Sequence, residues 1–123
     1  MASSEVWDIV KVPFPYTNRR PVQQHRPALV VAQHRAAGSQ ALLWVLMITS
    51  ASHRRWRGDF EISDVAAAGL PVASIVRSAK IATIEASDAE RIGRLPESDR
   101  RAVREHVAGE LALLLETRSD LPG

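Results

Sequence analysis

The chain has 123 residues, 46% of them hydrophobic, and a formal net charge of +2; that suits one compact domain burying roughly 60 to 70% of its unfolded surface and leaves no room for a second. It contains no cysteine, which excludes disulfides, thiol catalysis and thiolate metal sites, and no apolar run approaches the roughly 18 residues needed to cross a bilayer. The pI is 9.7 and nearly all the positive charge is arginine, a phosphate-binding and base-stacking side chain; this leans toward nucleic acid, although a GC-rich genome produces the same usage.

Met1 to Glu5 has neither the basic start nor the apolar core of a secretory signal, so a cytoplasmic protein is expected. A single domain over 1–123, with an ordered core of approximately 5–115, is the expected organisation. Val6 to Pro13 reads as a strand, with Trp7, Ile9 and Lys11 on one side and Asp8, Val10 and Val12 on the other. Phe14 to His25, with Pro15, Thr17, Arg19, Arg20 and Pro21, reads as an exposed loop able to close over a ligand. Pro27 to Gln33 and Gln40 to Thr49 are apolar runs rich in Val, Leu and Ile, separated by a turn at Ala36-Ala37-Gly38-Ser39; they read as central antiparallel strands.

Ser50 to Gly58 is a polar, basic connection. Asp59 to Ile62 reads as a short edge strand, followed by a helical turn near Ser63 to Ala68 that stops at Gly69-Leu70-Pro71. Two short strands are expected at Ala73 to Arg77 and Lys80 to Ile84. Pro96-Glu97-Ser98-Asp99 opens a helix, with proline and acids where the helix dipole favours them. Val103, Val107, Leu111 and Leu114 form its buried stripe, the Glu97/Arg101, Arg101/Glu105 and His106/Glu110 pairs its solvated face. Leu115 to Gly123 is expected to be a fraying tail. The order predicts a mainly β fold with helices, of α+β class: a small β-barrel-like sheet with a C-terminal helix against it.

His25, His34, His53 and His106 are scattered without helical pairing or neighbouring carboxylate clusters, so neither a metal nor a cofactor is expected. Arg26 precedes one apolar strand and Thr49 ends the next. If those strands form an antiparallel hairpin, the two residues emerge at the same rim. From the residues alone, Arg26 reads as a strand-capping arginine paired with Asp8 or Asp59, and Thr49 as a β-branched strand end. Phe14, Tyr16 and Trp56, interleaved with Arg19, Arg20, Arg54, Arg55 and Arg57, have the chemistry single-stranded RNA requires.

The run from Asp8 to Thr17 followed by His25-Arg26-Pro27-Ala28-Leu29-Val30-Val31 resembles the opening of the MazF/PemK family of toxin endoribonucleases. The resemblance continues through Leu46-Met47-Ile48-Thr49-Ser50, Ala68-Gly69-Leu70-Pro71, Ser74-Ile75-Val76-Arg77 and Ile92-Gly93-Arg94-Leu95. It departs at Trp7, where the family has glycine before the aspartate, and at Gln23-Gln24-His25, which replace basic residues. The family implies an SH3-like barrel and the toxin of a type II toxin–antitoxin pair, cleaving single-stranded RNA. It implies a homodimer and an antitoxin whose acidic C-terminal tail blocks the RNA groove; no membrane is involved.

By the same resemblance Arg26 and Thr49 are the catalytic pair. RNA carries its own nucleophile, the 2′-hydroxyl, so a protein without metal or thiol can cleave it by stabilising charge on the phosphorane, leaving a 2′,3′-cyclic phosphate and a 5′-hydroxyl. Arg26 would clamp the phosphate and Thr49 donate to a non-bridging oxygen. His25, ahead of His53, is the candidate acid/base helper. Phe14, Tyr16, Thr17, Arg19, Arg20, Ser50, Arg54 and Arg77 are candidate substrate contacts, with an ion pair the first reading for Arg77. The alternatives are a non-enzymatic inhibitor of DNA gyrase like CcdB, on the same barrel, and a degenerate member that binds RNA or antitoxin without turnover.

Overall fold

The structure, a computed structural model, describes residues 4–15, 23–35 and 41–119, with side chains at 4–13, 25–35 and 41–113. Strands β1 (Asp8–Pro15), β2 (Gln23–Arg35), β3 (Ala41–Ser50), β4 (Asp59–Glu61), β5 (Ser74–Glu85) and β6 (Glu90–Arg94) precede the helix α1 (Glu97–Ser119). They form one antiparallel sheet in the order β4-β5-β3-β2-β1-β6. This is the expected α+β arrangement, although the sheet does not close: among the described residues, β4 and β6 are its two edges.

The apolar runs of β1, β2 and β3 are continuous because both faces of these strands are buried. Alternate residues serve opposite cores. Ile9, Leu29, Leu46 and Ile48 pack with Leu95 and with Val103 of α1. Val10, Val12, Ala28, Val30, Val45 and Met47 pack instead with Ala82 and Ile84 of β5 and with Ala86 and Ala89 just beyond it. The sheet covers its own second face because its strands bend at bulges. Pairing skips Val31 in β2, residues 78–80 in β5 and Ile92 in β6.

The β5 bulge also explains why two strands were expected where one exists. Ser78-Ala79-Lys80 breaks the apolar run, yet the chain continues from Ser74 to Glu85 beside β3. β6 was not expected at all. Among its residues only Ile92 is a large apolar side chain, so an edge strand of Glu and Arg carries no alternation to read.

β1 begins two residues later than the alternation suggests. Trp7 has φ 80°, a left-handed conformation that costs a residue with a Cβ about 1–2 kcal/mol and ends strand geometry. Its backbone N–H donates to the Val30 carbonyl and its carbonyl accepts from the Leu95 amide, both at 2.9 Å. The ring packs on the first core, with the Arg104 and Arg100 guanidiniums 5.2 and 5.7 Å from its centroid. Trp7 therefore stitches a turn to β2 and to the start of α1, and does not share a strand face with Ile9 and Lys11.

The segment read as a loop from Phe14 to His25 is partly paired, Phe14 opposite Gln24 and Pro15 opposite Gln23. Tyr16, Thr17, Arg19, Arg20 and the turn at Ala36 to Ser39 lie outside the described residues, and Phe14 is placed by its backbone alone. The expected helical turn is a single turn closed by paired bonds, Leu70 N–H to Val65 carbonyl (2.9 Å) and Gly69 N–H to Ala66 carbonyl (3.1 Å), with Gly69 at φ 77°, as in a Schellman stop. Asp99, in the first turn of α1, accepts from both the amide and the hydroxyl of Ser63 at 3.0 Å, tying that turn to the helix. On α1 Val103 is buried and Val107 half-buried, but Leu111 is 57% exposed; the expected stripe is covered only in its first half. The Leu114 side chain lies outside the described set. Leu115 to Ser119, read as tail, is helical backbone, and 120–123 lie outside the described residues.

Candidate functional site

Two clefts meet at the end of the β2–β3 pair. β2 and β3 are in register from Ala28 opposite Met47; extended by two residues, that register sets Arg26 opposite Thr49, with both side chains on one face. Arg26, Thr49 and His53 line a cleft of about 420 Å3 together with apolar Leu70, Val72 and Ile92 and with Lys11 and Ser50. The same three line a second cleft of about 190 Å3 with Met47, Arg77 and Lys80. They form the partition between an apolar pocket and a cationic one.

His53 is held there by a tight turn. Its amide donates to the Ser50 carbonyl at 3.1 Å, and the Ala51 amide to the Ala73 carbonyl at 2.8 Å. The Ser50 hydroxyl accepts from the Ser52 amide at 3.2 Å and bonds the Ser52 hydroxyl at 2.9 Å. The result is a hydrogen bond of 2.6 Å between Thr49 Oγ1 and His53 Nδ1. Sequence reading ranked His25 first; His25 is exposed and adjacent to Arg26 on the strand, so alternation sends it to the opposite face. The structure brings His53, not His25, to the pair. Only the four-residue spacing across Ser50-Ala51-Ser52 could have signalled it.

Both acids considered as structural partners for Arg26 are engaged by other arginines. Asp8 pairs with Arg94 at 3.1 Å and Arg91 at 3.3 Å. Asp59 takes Arg77, whose Nε and Nη2 donate to its two oxygens at 3.1 and 2.9 Å, with a further bond to the Arg54 carbonyl at 2.7 Å. The fork of Arg77 is thus spent inside the fold, in keeping with the ion-pair reading. Ser50 is half-buried at the cleft rim, while Arg54 is exposed in the loop after it. Arg55 bonds Glu61 at 3.2 Å with both side chains more than half exposed, a geometry worth little to stability.

Asp59 anchors the whole 54–59 loop. Burial would push its carboxyl up; the Arg77 bond, the Trp56 amide and the charges of Arg77 and Arg55 outweigh that and hold it below the ordinary value of 3.8. A lowered carboxyl contributes stability that is complete above the ordinary value and is lost as pH falls through the lowered one. The indole N–H resonance of Trp56, followed by NMR, should therefore stay fixed from neutrality down to about pH 4 and move only below it. Movement centred near neutrality would show that another group holds the loop.

Among the described residues no group of three or more His, Asp or Glu side chains is placed to hold a metal ion, and no helix is long and apolar enough to cross a membrane. Residues 5–110 match the family described as PemK-like, MazF-like toxin of type II toxin-antitoxin system. The fold is similar to that in the crystal structure of MazE-MazF (form II) from Deinococcus radiodurans, at 17% identity and TM-score 0.63, covering 90% of this chain and 97% of that one. It is also similar to Mycobacterium tuberculosis toxin MazF-mt6, at 22% identity and TM-score 0.63, covering 85% of this chain and 96% of that one. No curated protein matches the sequence.

Proposed function

Since the chain belongs to the PemK-like, MazF-like toxin family of type II toxin–antitoxin systems, we propose that it is a metal-independent endoribonuclease that cuts single-stranded RNA at the Arg26–Thr49–His53 cluster. The observation that carries this reading is the shared lining of both clefts by these three side chains, with Thr49 bonded to His53 at 2.6 Å. A phosphate straddling the partition meets a guanidinium that stays protonated in proteins and a hydroxyl donor.

The ring tautomer follows from the roles. If Thr49 donates its hydroxyl hydrogen to a non-bridging phosphate oxygen, its Oγ1 must accept from His53 Nδ1–H, which leaves the lone pair on Nε2. Nε2 takes the proton of the 2′-hydroxyl, the 2′-oxygen bonds to phosphorus, and the bond to the 5′-oxygen breaks. The products are a 2′,3′-cyclic phosphate and a 5′-oxygen that collects a proton from solvent. Arg26 offsets the charge that grows on the phosphorane, the step where fixed donors matter most. Arginine cannot serve as the base here, so His53 supplies the function that Arg26 and Thr49 lack.

Ser50, Arg54 and the basic loop residues contact the RNA strand, joined by Phe14, Tyr16, Thr17, Arg19 and Arg20 from the β1–β2 connection. The active form is a cytoplasmic homodimer restrained by an antitoxin with an acidic C-terminal tail, a partnership supported by the MazE-MazF complex among similar folds. The test is a long single-stranded transcript incubated with protein and chelator, its new ends mapped. Discrete cuts bearing 5′-hydroxyls are expected, slowed about 100-fold by His53→Gln, the lower end of a general-base contribution. Intact RNA in the presence of folded wild-type protein would sink the reading.

A further inference from the structure

Trp56 is an aromatic side chain that belongs to neither hydrophobic core and has no part in the reaction above. It stands in a loop where hydrophobic burial would normally claim an indole, yet it is 46% exposed. Its position is fixed nonetheless. The Trp56 amide donates to Asp59 Oδ2 at 2.8 Å, and the Asp59 amide returns a bond to the Trp56 carbonyl at 3.2 Å. The Arg77 guanidinium lies 3.9 Å from the ring centroid and is itself clamped by both Asp59 oxygens and the Arg54 carbonyl. One face of the indole is therefore covered by a buried, immobile cation, and the exposure belongs to the other face and the rim.

We propose that the open face of Trp56 is a preorganised stacking platform for one unpaired base of the bound RNA. The proposal deepens the RNA-cleaving reading and rests on it for the identity of the ligand. Three features favour a base over other occupants. Arg77 backs the ring and also lines the smaller cleft with Arg26, Thr49 and His53, so one side chain links the indole to the reacting centre. The flanking Arg54, Arg55 and Arg57 are exposed and the segment from Ala51 to Gly58 contains no acid, which suits a polyanion. A planar ring held rigid loses no rotamer freedom when a base settles on it, and such stacking contributes about 1–3 kcal/mol per base. The other half-exposed indole, Trp44, is a built-in comparison: it packs at 4.8 Å against His34 and lies five residues up β3 from Thr49, roughly 17 Å away.

The test compares Trp56→Leu, which keeps an apolar cover over Arg77, with Trp56→Phe, which keeps a stacking face, after circular dichroism and melting confirm that both fold. Trp56→Leu is expected to raise KM for single-stranded RNA roughly 10- to 100-fold with kcat changed less than threefold, and Trp56→Phe to recover most of the loss. Scanning abasic positions through the substrate should find one nucleotide whose base matters to wild type and not to Trp56→Leu. Fluorescence quenching by RNA should persist in Trp44→Phe and vanish in Trp56→Phe. An unchanged KM in Trp56→Leu, or quenching that survives Trp56→Phe, overturns the platform and leaves the nuclease reading standing. Quenching needs no turnover, so wild-type protein that binds RNA without cutting it overturns the nuclease reading and leaves the platform measurable.

Discussion

Arg26→Ala is expected to lower cleavage of a long single-stranded RNA by roughly 10²- to 10³-fold, the loss found when a fixed donor to a developing oxyanion is removed. The effect should fall on the chemical step, measured as single-turnover rate at saturating protein with chelator present. Arg26 lines both clefts with Thr49 and is half-buried, so its charge acts in a setting less screened than bulk water. Arg26→Lys should restore only part of the rate, since an ammonium supplies the charge without the planar fork that grips two phosphate oxygens. The fold should survive all three side chains: the neighbouring Ala28, Leu29 and Val30 are fully buried and are anchored by the ladders on either side. A folded Arg26→Ala protein that cuts within threefold of wild type would remove Arg26 from the mechanism and, with it, the role assigned to the partition between the clefts.

That Arg26 and Thr49 share a cleft was legible because an antiparallel hairpin brings strand start to strand end, and two strands buried on both faces announce themselves by apolar runs. His53 was not legible as a partner of Thr49. Its placement depends on a turn whose bonds run through Ser50 and Ser52, and a polar stretch of that kind is compatible with many loop conformations. β6 was hidden for the opposite reason. Glu90, Arg91 and Arg94 keep an edge strand soluble and erase its hydrophobic period, while Arg91 and Arg94 are positioned by tertiary pairing with buried Asp8. Trp7 reads from sequence as a strand residue, but its φ of 80° is a conformation that glycine adopts freely and that an indole holds only through its backbone bonds and packing.

The second large effect concerns the wall of the main cleft. Gly69→Ala is expected to destabilise the protein by about 2–5 kcal/mol, combining about 1–2 for a side chain at positive φ with about 1–3 for overpacking. Gly69 has φ 77°, and a Cβ there would meet the Ile92 carbonyl oxygen at 2.1 Å and its carbon at 2.8 Å. The approach is reciprocal: a Cβ on Gly93 would meet the Ala68 oxygen at 2.1 Å. Backbone thus touches backbone where the turn before Leu70 lies on β6, and neither side has a flexible tip that can swing away. This contact sets Leu70 near Ile92, two of the apolar residues that line the cleft with Arg26 and Thr49. Against a typical stability of about 5–15 kcal/mol, the loss should lower Tm by roughly 8–20 °C, read by calorimetry, and open the cleft before the sheet melts. Gly109→Ala is the internal control. Nothing lies within 4 Å of its Cβ position, so alanine there should stabilise α1 by about 0.5–1 kcal/mol through helix propensity alone. Equal and small shifts in the two variants would mean that the turn and β6 do not hold each other, and that the wall of the cleft is set by side-chain packing instead of by the missing Cβ atoms.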